Sequence, residues 1–325
     1  MTAPLPSRFA RPALAASACA LLASGCGGGG GSGPVPPLAV PSLSQLDATA
    51  LSANAADTSE DTALAVDAIV GTTSSLALAM PAGVVSGATV ACSGGGSATV
   101  SISGGTLTGE LDGQLDAGEH YSVVFSHCSN ADGSVRLDGS VELDVLSADR
   151  STSPETLAVN LAVSHLALSL PSGTVTLDGT ASASRSVTAS NASTTTVSHV
   201  SVPSATLATA FNGRGALFTV SDLDATRTVT SVAGVTTASQ FDGRMTLAGS
   251  ADGRTLSLRF ATTGGVTRDG SGTLVSGTWT VVRPDATIAT TAADGLVVMT
   301  VDKGNDGSID HTWTSTTAEL EAAAG

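Results

Sequence analysis

Oxygen-bearing side chains recur through the run Asp302-Lys303-Gly304-Asn305-Asp306-Gly307-Ser308-Ile309-Asp310. With glycine at the sixth place, this is the spacing by which a short loop wraps calcium, a hard cation that takes several carboxylate and carbonyl oxygens. Asp302, Asp306 and Asp310 are the candidate calcium ligands. Gly304 stands where a further acid or amide belongs, and Trp313 where the bidentate glutamate belongs. The flanks read as strands, so the loop is a hairpin connection, and an acidic hairpin loop needs no ion.

Other chemistry is sparse. The five histidines do not converge by spacing on the three or four ligands that zinc requires. His120 and His127 are seven apart, which puts them on opposite faces of one strand. His199 and His311 stand alone. Asp222-Leu223-Asp224 sets two carboxylates on one strand face, a pair fit for acid–base work but equally a solvated strand edge. Gly-x-Ser-x-Gly, Ser-x-x-Lys and the phosphate-cradling glycine loops of nucleotide sites are missing. The expectation is a protein that is not an enzyme and has no catalytic residues.

The N-terminal residues carry a destination. Arg8 and Arg11 precede an uncharged run, Pro12 to Ala23, too short to span a bilayer and remain there. Ala23-Ser24-Gly25-Cys26 then resembles a bacterial lipobox. That resemblance implies removal of residues 1–25 as a signal peptide and lipidation of Cys26. Gly27 follows the cysteine where an aspartate would retain a lipoprotein at the inner membrane, which implies the cell outer membrane. Gly27 to Gly33 form a flexible coil, and Pro34, Pro36, Pro37 and Pro41 stiffen it, so 26–43 is a tether. Several acyl chains on one cysteine hold a protein on a membrane better than one chain does. The chain as a whole resembles β-rich lipoproteins of Gram-negative bacteria, a likeness that implies a location and carries no catalytic residues.

If Cys19 leaves with the signal and Cys26 is acylated, Cys92 and Cys128 remain as an even pair in an oxidising space, where a disulfide is the default. Composition narrows the partners. The formal charge is −15, and it becomes −17 once two arginines and no acid leave with residues 1–25. That excludes nucleic acid and anionic lipid headgroups as natural partners, since both attract a basic face.

The elements that position these residues are strands. Val, Thr, Leu and Ala dominate, and nine Asp-Gly pairs punctuate them at Asp112, Asp132, Asp138, Asp178, Asp242, Asp252, Asp269, Asp294 and Asp306. Asp-Gly between alternating segments is a strong hairpin signal. Alternation begins near residue 74, with candidate strands at 76–80, 89–92, 98–103, 106–111, 120–128, 134–146, 156–170 and 174–187. Leu157, Val159, Leu161 and Val163 keep one phase; Leu166, Leu168 and Leu170 keep the other. His165 at the change marks a β-bulge. The Ser/Thr-rich stretch 189–204 reads as a softer connection. Strands resume at 216–220, 227–232, 235–241, 245–248, 255–260, 272–282, 287–291, 296–302 and 309–316.

Before the strands, Asp57-Thr58-Ser59-Glu60 reads as a capping box opening a helix that ends near Gly71, with a short helical turn over 48–55 ahead of it. The expected organisation is therefore a helical segment at 44–72, a first β half at 73–190 and a second at 191–325, or one continuous β domain. The fold class is mostly β: a large antiparallel meander forming a curved sheet or sandwich, with one short N-terminal helix. Six Phe, one Tyr and two Trp are too few for the two aromatic girdles of an outer-membrane barrel. The functional expectation is an anchored structural or partner-binding β module. The alternative is a carrier that holds a lipid or other apolar ligand in the concave face of the sheet.

Overall fold

A computed structural model describes residues 43–78, 87–104, 115–129, 133, 136–170, 173–190, 192–211, 214–251 and 254–323. Cys26, the tether and the candidate strand at 106–111 lie outside the described residues.

The chain opens with α1 (Gln45–Leu78). Fourteen strands follow: β1 (Ala88–Ala91), β2 (Ser97–Gly104), β3 (Glu119–Ser129), β4 (Arg136–Asp149), β5 (Glu155–Leu170), β6 (Gly173–Ala189), β7 (Ser193–Phe211), β8 (Arg214–Val232), β9 (Val235–Ala251), β10 (Arg254–Asp269), β11 (Leu274–Val282), β12 (Ala286–Ala293), β13 (Leu296–Lys303) and β14 (His311–Thr316). A short helix, α2 (Thr317–Ala323), closes the described chain. Every strand pairs antiparallel with its sequence neighbours, in one open 14-stranded sheet of order β1 to β14. Among the described residues β1 pairs only with β2 and β14 only with β13.

The sheet runs through residue 190 without a break. β6 and β7 pair from Gly173↔Phe211 to Ala189↔Thr194. The Ser/Thr-rich stretch read as a soft connection is mostly the first half of β7, one of the two longest strands at 19 residues. Thr favours a pleated surface as strongly as Val does, so these residues extend the ladder. The segments 216–220 and 227–232 likewise join into β8, and 235–241 and 245–248 into β9.

Helix α1 begins earlier and runs longer than expected. Its cap is Ser44: the Ser44 hydroxyl accepts the Asp47 N–H at 3.2 Å, and the Asp47 carboxylate accepts the Ser44 N–H at 3.3 Å. That reciprocal pair is the capping box. Asp57 to Glu60 lie mid-helix, and the helix continues through Gly71 and through 76–78, where a strand was expected. At 1.5 Å per residue it is about 50 Å long. Residues Leu51, Ser52, Ala53, Asn54, Ala55 and Ala56 are buried one after another. Successive side chains turn by about 100°, so six in a row cover the whole circumference. This part of the helix is therefore enclosed, and α1 touches β4 and β6 through β12. The sheet curls around it.

Bulges interrupt the ladder along the sheet. Register shifts occur in β3 between Phe125 and Cys128, in β5 between Val163 and Leu166, in β8 between Ser221 and Asp224, and in β10 between Ala261 and Val266. An extra residue on one strand kinks it and increases its twist. Inward residues such as Val123, Val141, Val159, Phe218, Leu247 and Leu258 form a single core. Glu142, Asp144, Asn160, Ser164, Thr219, Ser257 and Arg259 are exposed on the other side. The same face also exposes Val124, Leu217 and Val298, so it is a mixed surface and not the continuous apolar band a membrane barrel turns to lipid.

Candidate functional site

The densest group of charges lies inside, where α1, β10 and α2 meet. Arg268 sits one side-chain period beyond Val266 on the inner face of β10. Asp57 and Glu60, three apart on α1, share one helix face. The Arg268 guanidinium donates to Asp57 at 2.8 Å, to Glu60 at 3.0 Å and to Glu321 of α2 at 3.4 Å. Three carboxylates thus surround one cation. Burial pushes the Asp57 carboxyl above its ordinary range; Arg268 pulls it back, while Glu60 and Glu321 push it further up. Burial pulls the Arg268 guanidinium down, but Glu60 and Asp57 outweigh that and hold it above its usual value. Further along α1, burial also raises Asp67, against a hydrogen bond to Ser198 and the charges of Arg227 and Arg185. Arg185, Ser198 and Arg227 stand side by side on β6, β7 and β8. An acidic face of the helix therefore meets basic positions on the inner wall of the sheet.

Beside this cluster is a cavity of about 20 Å³, lined by Ala53, Val266, Leu274, Trp279 and Leu320 as well as by Asp57, Arg268 and Glu321. That is room for one water and no substrate. Trp279 donates its indole N–H to the Ser52 hydroxyl at 2.9 Å, and Ser52 shares a 2.6 Å hydrogen bond with Thr290. The arrangement can lock a helix to a sheet and can hold or release a proton.

The outer face carries a second pattern, which the sequence reading missed. The His127 backbone N–H donates to Asp138 at 2.8 Å, and the His165 N–H to Asp178 at 2.6 Å. Both histidines have positive φ, at 51° and 48°, the conformation of a bulged residue. Gly139 and Gly179 follow the two aspartates. A Cβ on Gly179 would lie 2.7 Å from the Ala205 Cα, so only glycine lets β6 approach β7 there. Asp138-Gly139, Asp178-Gly179 and Asp242-Gly243 are thus mid-strand bulge partners and not hairpin turns, whereas Asp294-Gly295 is a turn with φ of 52° and 77°. The signal was present in sequence: Ser126-His127 precedes Leu137-Asp138-Gly139-Ser140, and Ser164-His165 precedes Leu177-Asp178-Gly179-Thr180.

The bulge in β3 also undoes the parity argument for its histidines. His120 pairs with Asp144 at 2.6 Å and His127 with Asp138 at 3.4 Å, both on the exposed side. His199 meets Asp224 at 2.8 Å, and Arg244 meets the same carboxylate at 3.1 Å. Asp222 and Asp224 are not on a sheet edge, because β8 lies mid-sheet with Leu223 turned inward and buried. His311 stacks on Trp313.

The residues proposed for calcium form the β13–β14 connection. Asp302 accepts the Asp306 and Gly307 N–H groups at 3.1 and 2.9 Å, Asp306 accepts that of Ser308 at 2.8 Å, and Asp310 accepts that of Lys303 at 2.6 Å. The carboxylates order the loop through its own amides. No group of three or more His, Cys, Asp or Glu side chains among the described residues is arranged to hold a metal.

Cys92 and Cys128 are disulfide-bonded, with Cα atoms 5.4 Å apart. The bridge ties the β1–β2 turn to the end of β3, beside hydrogen bonds from Gly94 N–H to Ser129 O and from Ser129 N–H to Gly95 O. Closing a 36-residue loop limits the unfolded chain by about 3–4 kcal/mol. Replacing both cysteines with serine is expected to lower the unfolding free energy by about that amount. Urea unfolding of oxidised and double-variant protein measures it; equal midpoints would assign the bridge no stabilising role.

No family model, no curated protein and no solved structure matches the chain.

Proposed function

We propose that the chain is a lipoprotein anchored in the cell outer membrane through Cys26, whose β body is a non-enzymatic structural or partner-binding module. The observation that carries the second half of this reading is the occupied interior. From Leu51 to Ala56 the side chains of α1 are buried all round against the concave side of the sheet, and the cavity beside Arg268 holds about 20 Å³. A small-molecule pocket needs an order of magnitude more, roughly 300 Å³ or above. Recognition therefore falls to the exposed polar face and to the outer edges of β1 and β14, which among the described residues pair on one side alone; an edge of that kind accepts an added strand. The first half rests on the order of charges, apolar run, small residues and Cys26-glycine tether in the sequence.

The test is the intact mass of the protein extracted from native membranes and sprayed without denaturation. The expected species starts at Cys26, carries acyl mass and holds no further ligand. Cys26→Ser is expected to move the protein from the membrane fraction to the soluble fraction. A bare chain cut elsewhere would overturn the anchor. Additional non-covalent lipid mass would overturn the filled interior and favour the carrier.

A further inference from the structure

We propose that α2 is a proton-controlled latch: it closes the end of the curled sheet when the Asp57–Glu60–Glu321 cluster around Arg268 holds a proton, and it loosens when that proton is lost.

Three attachments dock this seven-residue helix. Leu320 is buried at 2% exposure against the apolar slot of Val266, Leu274 and Trp279. The Thr317 N–H donates to the Gly295 carbonyl at 3.0 Å. The Glu321 carboxylate accepts the Leu274 N–H at 2.7 Å and one branch of Arg268 at 3.4 Å. A helix this short has little stability of its own, so its docking depends on these contacts. Only the third involves ionisable groups, and there the charges do not balance: fully ionised, the cluster holds three negative charges and one positive.

The other groups near α2 do not alter this balance. β11, β12 and the part of β13 that α2 touches carry no charge. Glu319 faces solvent and takes the Thr316 N–H at 2.8 Å. Asp269, in the neighbouring turn, has its carboxylate engaged by the Ser271 and Thr273 amides. His311 and Lys303 lie at the far end of their strands. Asp294 precedes the Gly295 that takes the Thr317 N–H and is exposed, and Asp61 follows Glu60 on α1. The acids bonded to Arg268 are Asp57, Glu60 and Glu321, and Asp57 faces Glu321 across the shared guanidinium. Burial and both neighbouring acids hold the Asp57 carboxyl above its ordinary range. A carboxyl raised in the folded state binds its proton more tightly folded than unfolded. Its stabilising effect is therefore present at low pH and fades as pH rises through the folded-state value. Ionised Asp57 then repels Glu321 while competing for the same guanidinium, and the third attachment of α2 weakens to the Leu274 N–H bond.

The experiment is amide hydrogen exchange of the full mature chain between pH 5 and pH 8, corrected for intrinsic exchange and read at residues 317–323. The wild type is expected to open α2 severalfold more often at pH 8 than at pH 5, the direction set by a carboxyl that binds its proton more tightly in the folded state. Asp57→Asn keeps the side-chain volume and a hydrogen bond to Arg268 and removes the titrating charge. It is expected to flatten the pH dependence with α2 still docked. Trp279 fluorescence, isolated by Trp313→Phe, reports the same opening independently. A wild-type α2 whose protection does not change with pH, or an Asp57→Asn variant with the wild-type pH dependence, would overturn the latch. A variant in which protection of α1 falls together with that of α2 would also overturn it, because a latch opens by itself.

Discussion

Arg268→Met is expected to lower the unfolding free energy by about 3–5 kcal/mol at neutral pH, the usual cost of removing one partner from a buried ionic group. Methionine keeps most of the arginine stem, so packing against Val266 and Leu274 is largely retained and the change isolates the charge. What remains is Asp57, Glu60 and Glu321 facing one another with no cation, in a site where the Glu60 side chain is 9% exposed. Carboxylates left in this way respond by keeping their protons. Burial already holds Asp57 above its ordinary range, and without Arg268 nothing pulls it back, so the variant gains stability as pH falls. The deficit relative to wild type should therefore be largest near pH 8 and shrink toward pH 5. Urea unfolding followed by circular dichroism at both pH values reads the difference. Adding Asp57→Asn and Glu60→Gln to Arg268→Met should recover most of the loss, since the uncompensated charges are then gone. A variant with the wild-type midpoint at both pH values would mean that this cluster does not hold α1 to the sheet.

The part of this architecture that sequence reveals is the part set by neighbouring residues. The alternation of Leu157, Val159, Leu161 and Val163, and its change of phase at His165, describe one strand with one bulge, and β5 has that form. The antiparallel meander follows from many such segments joined by short turns. What sequence hides is set by contacts across the chain. Asp57 and Glu60 have the local pattern of a helix cap, yet their partner Arg268 is 211 residues from Asp57, and only the folded sheet brings it near. Asp178-Gly179 has the composition of Asp294-Gly295. One accepts the backbone N–H of a bulged histidine and the other turns a hairpin, and a single dipeptide cannot report which strand lies beside it. The stretch from Ser193 misled for a different reason. Ser and Thr suit loops by their side-chain hydrogen bonds and suit strands by their shape, so composition alone does not choose. The loop at Asp302 to Asp310 kept its ligand-like spacing because the spacing that points carboxylates at an ion also points them at the amides of a tight turn.

Trp279→Ala is expected to cost about 3–5 kcal/mol, the range for truncating a large buried aromatic. Trp279 is 1% exposed on β11 and stands where α1, β11 and α2 come together. Its removal enlarges a cavity of about 20 Å³ already present there, and a dry void costs the contacts of every atom that lined the lost side chain. It also takes away the indole N–H that satisfies Ser52, leaving that hydroxyl with Thr290 alone. Trp279→Phe separates the two effects. Phenylalanine keeps much of the ring and loses the donor, so it should cost less, with about 1 kcal/mol of its effect from the missing hydrogen bond. The difference between the two variants is the packing contribution of this joint. It should appear as loss of exchange protection along α1 as well as in the unfolding midpoint, because the helix is enclosed rather than laid on a surface and has no second wall to move toward. If Trp279→Ala is no more destabilising than Trp279→Phe, packing at this joint contributes little, and the helix is held by its acidic face against Arg268, Arg227 and Arg185.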